Sequence, residues 1–359
     1  MALDSGNKIR ILVTTQVVDR THPILGFFHT WIEMLARECE SVTVICLEEG
    51  EHDFPSNVHV LSLGKEVGTS RLVRIQRFYR FILADARPYN AVFVHMNPEY
   101  IVLGGLIWRL MKKRIVLWYT HKSVTLTLRL ATFFAHTVCT ASPESFRIKT
   151  PKKVVTGHGI DASLFLSERP ARGDVYRFIT AGRITPTKNI DVLIEAMAFL
   201  PRYGIPYHFS IVGGPTAEGD KEYLQGLKNR VHELNAERFI EFHGSIDPKK
   251  MPGVLAKADA FLHASATGSL DKAVLEAMAA GCVVISASEA VRPIMQRIER
   301  HLVVDELRPE LFAEAIAWFS HANPREEVEI RERAIRVVRE QHSLLNLMQQ
   351  LLWILSKSK

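Results

Sequence analysis

The sequence predicts two doubly wound α/β domains followed by a helical tail, and three observations carry that prediction. The chain has 359 residues, 47% of them hydrophobic, which is enough to bury two cores. Short apolar runs alternate with helix-like stretches, the pattern of a parallel sheet with helices on both faces. That alternation halts in a polar stretch, Leu166–Asp174, and then begins again.

In the first half, a β-branched strand is predicted over Ile9–Thr15, followed by a loop holding Pro23 and Gly26. An amphipathic helix from about Phe28 to Glu38 and a strand over Ser41–Cys46 complete a βαβ unit. Further strands are predicted at Val58–Leu63, Ala91–His95, Arg114–Tyr119, Thr137–Thr140 and Val154–Thr156, with helix-like stretches between several of them. The second half repeats the pattern. Strands are predicted over Tyr176–Gly182, His208–Gly213, Ile240–His243, Ala260–Ala264 and Val283–Ser286. Helices are predicted between them over Ile190–Leu200, Lys221–Asn235, Lys249–Lys257 and Lys272–Ala280. Pro309 to Leu355 reads as helical, and Leu344–Leu355 is apolar enough to need a covering surface. The expected organisation is 1–165, 166–325 and a final helical segment, 326–359, packing back on the first domain. No internal repeat or low-complexity tract interrupts it.

Composition narrows the class. Cys39, Cys46, Cys139 and Cys282 form no Cys-x-x-Cys pair, so neither a disulfide framework nor a zinc cluster is indicated and a reducing compartment is expected. The longest apolar run, Ile101–Trp108, is too short to span a bilayer, and the polar MALDSGNKIR start leads directly into a strand. A soluble cytoplasmic protein is the expectation. Net charge is +6, and residues 1–165 hold all of that excess, with 20 Lys and Arg against 14 Asp and Glu. Such a balance suits an anionic surface or substrate, or a solvated basic face.

Two sheets that present loops at the carboxyl ends of their strands create a place for a ligand between them. The first chemical signal is Ala181-Gly-Arg-Ile-Thr-Pro-Thr-Lys-Asn189, a strand end, a loop and a helix start. Gly182 allows close backbone approach, while Arg183 and Lys188 bring two cations beside a helix amino terminus, which suits a diphosphate. The second is Ser265 to Gly281, a loop of small residues entering a helix with Glu276 on its second turn. That carboxylate can accept ribose hydroxyls, and the backbone N–H groups of Gly268, Ser269, Leu270 and Asp271 can face phosphate or sugar oxygens. Gly213 and Gly214 in Ile211–Pro215, and His243 in Phe242-His-Gly244, stand at further strand ends.

Together these motifs resemble the retaining glycosyltransferases of family 4, with the two-domain GT-B fold, over nearly the whole chain. The family's G-R-x-x-x-x-K-N corresponds to Gly182–Asn189, its V-G-x-G-P region to the stretch Val212–Pro215, its F-x-G to Phe242–Gly244, and its L-E-A-M-A-x-G to Leu275–Gly281. The resemblance implies a donor domain at 166–325, where Arg183 and Lys188 bind the donor diphosphate and Glu276, beside Leu275, binds the ribose. It implies an acceptor domain at 1–165, where Gly26 stands in the acceptor or phosphate loop. His121, in Trp118-Tyr-Thr-His121, matches the active-site histidine; without the resemblance it reads as a hydrogen-bonding residue at a strand end. Gly157-His-Gly-Ile-Asp161 followed by Phe165 is similar to the family's interdomain link.

One departure stands out. The first Glu of the family's E-x7-E motif falls at Gly268, and E-G-F-G is replaced by Gly-Ser-Leu-Asp. Asp271 either substitutes a carboxylate or caps the following helix. On the acceptor side, Arg71, Arg74, Arg77 and Arg80 recur every three residues among apolar neighbours, and Lys112, Lys113 and Arg114 form a second cluster. Two readings are open: a basic helix lying on an anionic membrane, and a packed helix with its arginines in solvent. Nucleic acid is a poorer fit, since no binding motif accompanies the charge.

The expected activity is therefore hexosyl transfer from a nucleotide diphosphate sugar to a hydroxyl of a glycan or a polyprenyl- or glycolipid-type acceptor. The resemblance implies retention of configuration; neither a metal nor another cofactor is expected. The alternatives are a GT-B sugar epimerase or phosphorylase, and a non-catalytic partner of a transferase. A nicotinamide oxidoreductase is disfavoured, because Gln16-Val-Val-Asp-Arg-Thr21 follows the first strand in place of a G-x-G-x-x-G fingerprint.

Overall fold

Strand after strand, each expected apolar run lies in a parallel sheet. The computed structural model describes residues 9–22, 24–84, 87–165, 169–170 and 173–357, so Pro23, the first eight residues and parts of the 166–174 stretch lie outside the described residues. By contact density the chain divides into two units, Met1–Gly157 with Leu345–Lys359, and His158–Leu344.

The first unit contains β1 (Arg10–Val18), β2 (Ser41–Glu49), β3 (Val58–Ser62), β4 (Ala91–His95), β5 (Arg114–Trp118), β6 (Thr137–Thr140) and β7 (Lys153–Val155). They form a parallel sheet in the order β3-β2-β1-β4-β5-β6-β7. β1 and β2 run three residues beyond their predicted ends, because Val17 and Val18 keep pairing with Glu48 and Glu49. Helices α1 (Phe27–Glu38), α2 (Arg71–Ile82), α3 (Glu99–Leu110) and α4 (Leu126–Phe134) connect the strands. The chain steps from β1 to β2 in one direction and from β3 through β6 in the other, so right-handed crossovers place α1 on one face and α2 to α4 on the other. Accordingly, Val92, Val94, Ile115 and Leu117 pack against Phe78 and Ile82 of α2, Ile101 and Trp108 of α3, and Leu128 of α4. On the opposite face Phe28 of α1 stacks on His95 with ring centroids 3.9 Å apart, and Trp31 meets Trp118 edge-on.

The arginine-rich segment is α2, and it is a packed helix. Phe78 and Ile82 are buried, Arg77 donates to Leu63 O at 3.2 Å, and Arg71 and Arg80 are exposed.

The second unit holds β8 (Tyr176–Ala181), β9 (Tyr207–Val212), β10 (Ile240–Gly244), β11 (Ala260–His263) and β12 (Val283–Ser286), all parallel in the order β10-β9-β8-β11-β12. Its helices are α5 (Ile190–Met197), α6 (Glu218–Glu233), α7 (Met251–Lys257), α8 (Lys272–Ala279), α9 (Arg292–Ile298), α10 (Pro309–His321) and α11 (Pro324–Gln341). α6 starts three residues before its predicted start because Asp220 accepts the N–H groups of Thr216 and Ala217 at 3.0 and 2.9 Å, satisfying donors at the helix start. α9 is absent from the sequence reading; seven residues are too few to display a 3.6-residue period.

The helical tail is α10, α11 and α12 (Leu344–Ser356). The unit bounds differ from the expected 165/166 and 325/326. Ile160 and Phe165 enter the second core, and α11 lays Ile330, Ala334 and Val338 on the same core, so only α12 and its flank count with the first unit. Leu347 and Leu351 on α12 are fully buried, meeting the need for cover that its composition implied. Cys39, Cys46, Cys139 and Cys282 are all buried and unbridged.

Candidate functional site

The order of the second sheet explains where a ligand can enter. β8 and β11 are neighbours, and the chain leaves them in opposite directions, towards β9 and towards β12. Loops that part at such a switch point leave a crevice at the strand carboxyl ends. The two loops there are 181–189, after β8, and 264–271, after β11, which are the two segments that carry the strongest sequence signals.

Glycines shape the floor of this crevice. Gly182 has φ +142° and donates to Val212 O at 3.0 Å; Gly213 has φ +136° and donates to Gly244 O at 2.8 Å. A Cβ on Gly213 would stand 1.7 Å from Gly182 O, so β8 and β9 end in a contact that no side chain permits. Gly214 completes the lacing by accepting from Ile184 N at 3.0 Å. Three strand ends are thereby tied together with their backbone bare.

The two loops are also joined to each other. A 3-10 turn, Pro186–Lys188, leads to Asn189, which sits at φ +47° at the start of α5. Asn is among the few side chains that tolerate this region, and here its Nδ2 donates to Ala264 O at 2.8 Å. Ala266 N donates to Thr187 O at 3.0 Å. These bonds carry Lys188 to the β11 loop, where its Nζ pairs with Asp271.

Asp271 is the hub of a side-chain network. Its Oδ2 also meets His263 Nε2 at 3.0 Å, and His263 Nδ1 meets Ser286 Oγ at 3.0 Å. Ser286 Oγ already accepts from Ser288 N at 3.1 Å, so its own proton is available for His263 Nδ1. That arrangement leaves the His263 proton on Nε2, aimed at Asp271. Burial raises the Asp271 carboxyl pKa, but the His263 hydrogen bond and the Lys188 charge outweigh it and hold the group well below its ordinary range. Asp271 is thus ionised. Its side chain makes no capping bond to α8, so of the two roles read from sequence the capping one is absent.

Gly182, Arg183, Lys188 and His263 line one small pocket with Val212 and Ala264. Arg183 is exposed, whereas the Lys188 side chain is only 14% exposed. The sequence reading missed His263; its signal was a polar ring at the carboxyl end of an otherwise apolar strand. Of the other residues singled out, Glu276 pairs with Lys272 at 2.5 Å on α8, and Leu270 and Leu275 are core residues. Ser269 is half-buried beside them. His243 bonds to Ser210 Oγ at 3.0 Å on the β10 side. Gly268 is buried at φ +64°, a conformation that favours glycine and disfavours the Glu expected at this place.

His121 and Gly26 belong to the first unit. His121 is exposed in the loop after β5, and its Nδ1 accepts from Ser123 N at 3.1 Å. Gly26 immediately precedes α1, where an added Cβ would stand 2.7 Å from His22 O. Among the described residues no three His, Cys, Asp or Glu side chains come together as a metal site. None of the helices there is long and apolar enough to cross a membrane.

Comparison with known proteins points the same way. Residues 165–340, just under half of the chain and nearly all of the second unit, match the family model described as glycosyl transferases group 1. The putative colanic acid biosynthesis glycosyltransferase WcaL of Escherichia coli K12 is 27% identical over 193 residues, 51% of this chain and 46% of that protein. The amylovoran biosynthesis glycosyltransferase AmsK of Erwinia amylovora is 30% identical over 170 residues, 45% of this chain and 40% of that one. The chain thus spans less than half the length of these curated relatives in its matches. In structure it is similar to Anabaena Alr3699/HepE, solved in complex with UDP-glucose, with a TM-score of 0.75 at 17% identity over 97% of this chain and 99% of that one. The fold is that of the GT-B class, with two Rossmann-like units and a C-terminal helical region.

Proposed function

We propose that this chain is a group 1 glycosyltransferase that moves a sugar from a nucleoside diphosphate donor to a hydroxyl of a glycan or lipid-linked acceptor. One observation carries the reading. Gly182, Arg183 and Lys188 converge with His263 in a pocket at the β8/β11 switch point, inside the segment that matches the family model. The bare backbone at Gly182 and Gly213 lets a diphosphate approach, and Arg183 and Lys188 offset the negative charge that grows on it as the sugar departs. In this reading the two cations do this without a metal, and no cofactor beyond the donor is invoked.

Glu276 takes the ribose hydroxyls, with the 268–271 backbone facing the donor's sugar end. His121 serves the acceptor side. Retention by same-face attack and a hexosyl donor belong to the proposal through the family 4 resemblance, as does a cytoplasmic location. UDP and UDP-glucose in the Anabaena protein support a nucleotide-sugar donor. The relatives named for colanic acid and amylovoran biosynthesis support a glycan acceptor.

The test is Lys188→Ala. Removal of one charge-assisted contact, roughly 1.5–3 kcal/mol, should weaken nucleoside diphosphate binding by about 10- to 100-fold and depress transfer at least as much. Calorimetry against UDP, GDP, ADP and dTDP would measure the first, and a coupled transfer assay the second. Unchanged affinity and turnover in the variant would remove the assignment. Gly268 favours a second reading, a non-catalytic GT-B partner of a transferase; donor binding without transfer or hydrolysis would support it.

A further inference from the structure

Away from the donor pocket, the outer faces of α3 and α4 carry an unusual combination of groups. Val102, Leu106 and Leu110 stand four residues apart on α3, and Leu126, Leu130 and Phe133 follow a similar spacing on α4. All six are exposed, by 37% to 75%, whereas Ile101, Trp108, Leu128 and Ala131 on the inner faces are buried. The two helices are held together. Arg109 Nε donates to Phe134 O at 2.8 Å, and Gly105 leaves room for Phe134, whose Cβ would lie 2.9 Å from any Cβ added there. Two parallel apolar stripes of this kind exceed the scattered exposure normal for a protein surface.

Charge around the stripes is mostly positive, the exposed Glu99 in the first turn of α3 being the exception. From Tyr100 to Pro143 the chain holds six Lys and Arg and no Asp or Glu, a local excess equal to the +6 net charge of the whole chain. Lys112, just past the end of α3, and Arg129, on α4, are exposed beside the apolar residues. Exposed apolar side chains on two packed helices, flanked by the exposed Lys112 and Arg129, fit an anionic lipid surface, which admits the former and attracts the latter. A second copy of the chain would set cation against cation. We propose that the α3–α4 face docks on an anionic bilayer, seated by Leu106, Leu110, Leu126 and Phe133 and drawn there by Lys112 and Arg129. The basic helix singled out in the sequence, α2, is adjacent, with Tyr79 donating to Leu103 O at 3.2 Å; it buries Phe78 and Ile82 in the core and leaves only Leu72 and Val73 of its apolar residues exposed, both in its first turn.

The proposal does not depend on the transferase reading, and vesicle binding without donor separates the two. The full chain would be sedimented with phosphatidylcholine vesicles that contain about 30 mol% phosphatidylglycerol and with pure phosphatidylcholine vesicles. Binding is expected to the anionic vesicles alone and to fall as salt rises. Two variants, L106S/L110S/F133S and K112E/R129E, should each lose roughly tenfold or more in binding while keeping the wild-type thermal midpoint and UDP affinity. Equal binding by wild type and both variants would overturn the proposal. So would loss of binding in R71E/R80E alone, which would move the surface to α2, or a concentration-dependent dimer that the triple serine variant abolishes, which would make the occupant a second copy.

Discussion

Asp271→Asn tests whether the ion pair in the pocket competes with the ligand. The substitution keeps the shape of Asp271 and removes its charge, so Lys188 loses its carboxylate while His263 keeps an oxygen to which it can donate. Both partners of the pair are mostly buried, the Lys188 side chain 14% and the Asp271 side chain 25% exposed. Screening is therefore weaker than at the surface, and a charge-assisted bond of this kind contributes roughly 1.5–3 kcal/mol net. A diphosphate that enters beside Lys188 must share or displace that bond. Releasing the ammonium should tighten UDP binding by up to about tenfold, with part of the gain cancelled by a poorly paired Lys188 in the free protein. Folding stability should fall by about 1–3 kcal/mol, because the lysine is left partly buried without its counter-ion. The sign with pH is fixed: the Asp271 carboxyl lies below its ordinary range, so the pair is intact above ordinary carboxylate pKa values and is lost only as pH falls through its own lower value. Titration calorimetry at neutral pH, with thermal unfolding in parallel, supplies both numbers. If UDP affinity drops by tenfold or more in the Asn variant, Asp271 aids diphosphate binding and the competition argument is wrong.

Two further outcomes follow from the second unit. Gly213→Ala places a Cβ 1.7 Å from Gly182 O at φ +136°, so the variant should lose several kcal/mol of stability, read as a lower denaturant midpoint, and lose donor binding with it; a native-like midpoint would show that the β8–β9 contact relaxes freely. His158 and His342 are both buried with pKa pushed down to about 4, His158 by burial and then the Lys272 charge, His342 by burial and then His158. Below the ordinary value of 6.5 the unfolded chain takes up protons that the folded one refuses, so stability should decline between about pH 6.5 and pH 4, by about 1.4 kcal/mol per pH unit and histidine at most. Thermal midpoints across that range should slope less in H158Q/H342N than in wild type, and equal slopes would contradict the assignment.

Much of this protein is legible in its residue order because the relevant physics is local. Period-two and unbroken apolar runs mark β4, β5, β8 and β11 with little ambiguity, and the restart of the alternation near Tyr176 announces a second sheet. Gly182 and Gly213 are legible as strand-end glycines, and Arg183 and Lys188 as cations on a loop that enters a helix. Short elements are harder. α9 leaves no periodic trace, and the ends of β1 and β2 depend on whether a neighbouring strand continues to pair with them.

What the sequence determined alone was the kind of fold and the chemistry of each loop, since both follow from neighbours within a few residues. Only the tertiary structure decided which loops meet. Lys188 and Asp271 are 83 residues apart in the chain, and they touch because β11 inserts beside β8 at the switch point of the sheet. The same placement recruits His263 and Ser286, assigns Asp271 to the ion pair in place of a helix cap, and leaves Gly268 in a backbone conformation that disfavours the expected Glu. Likewise, the sequence shows a basic amino half, but only the packing of α2, α3 and α4 on one face of the first sheet separates the apolar residues spent on the core from those left facing outward. Burial is a property of the assembled sheet, which no window along the chain contains.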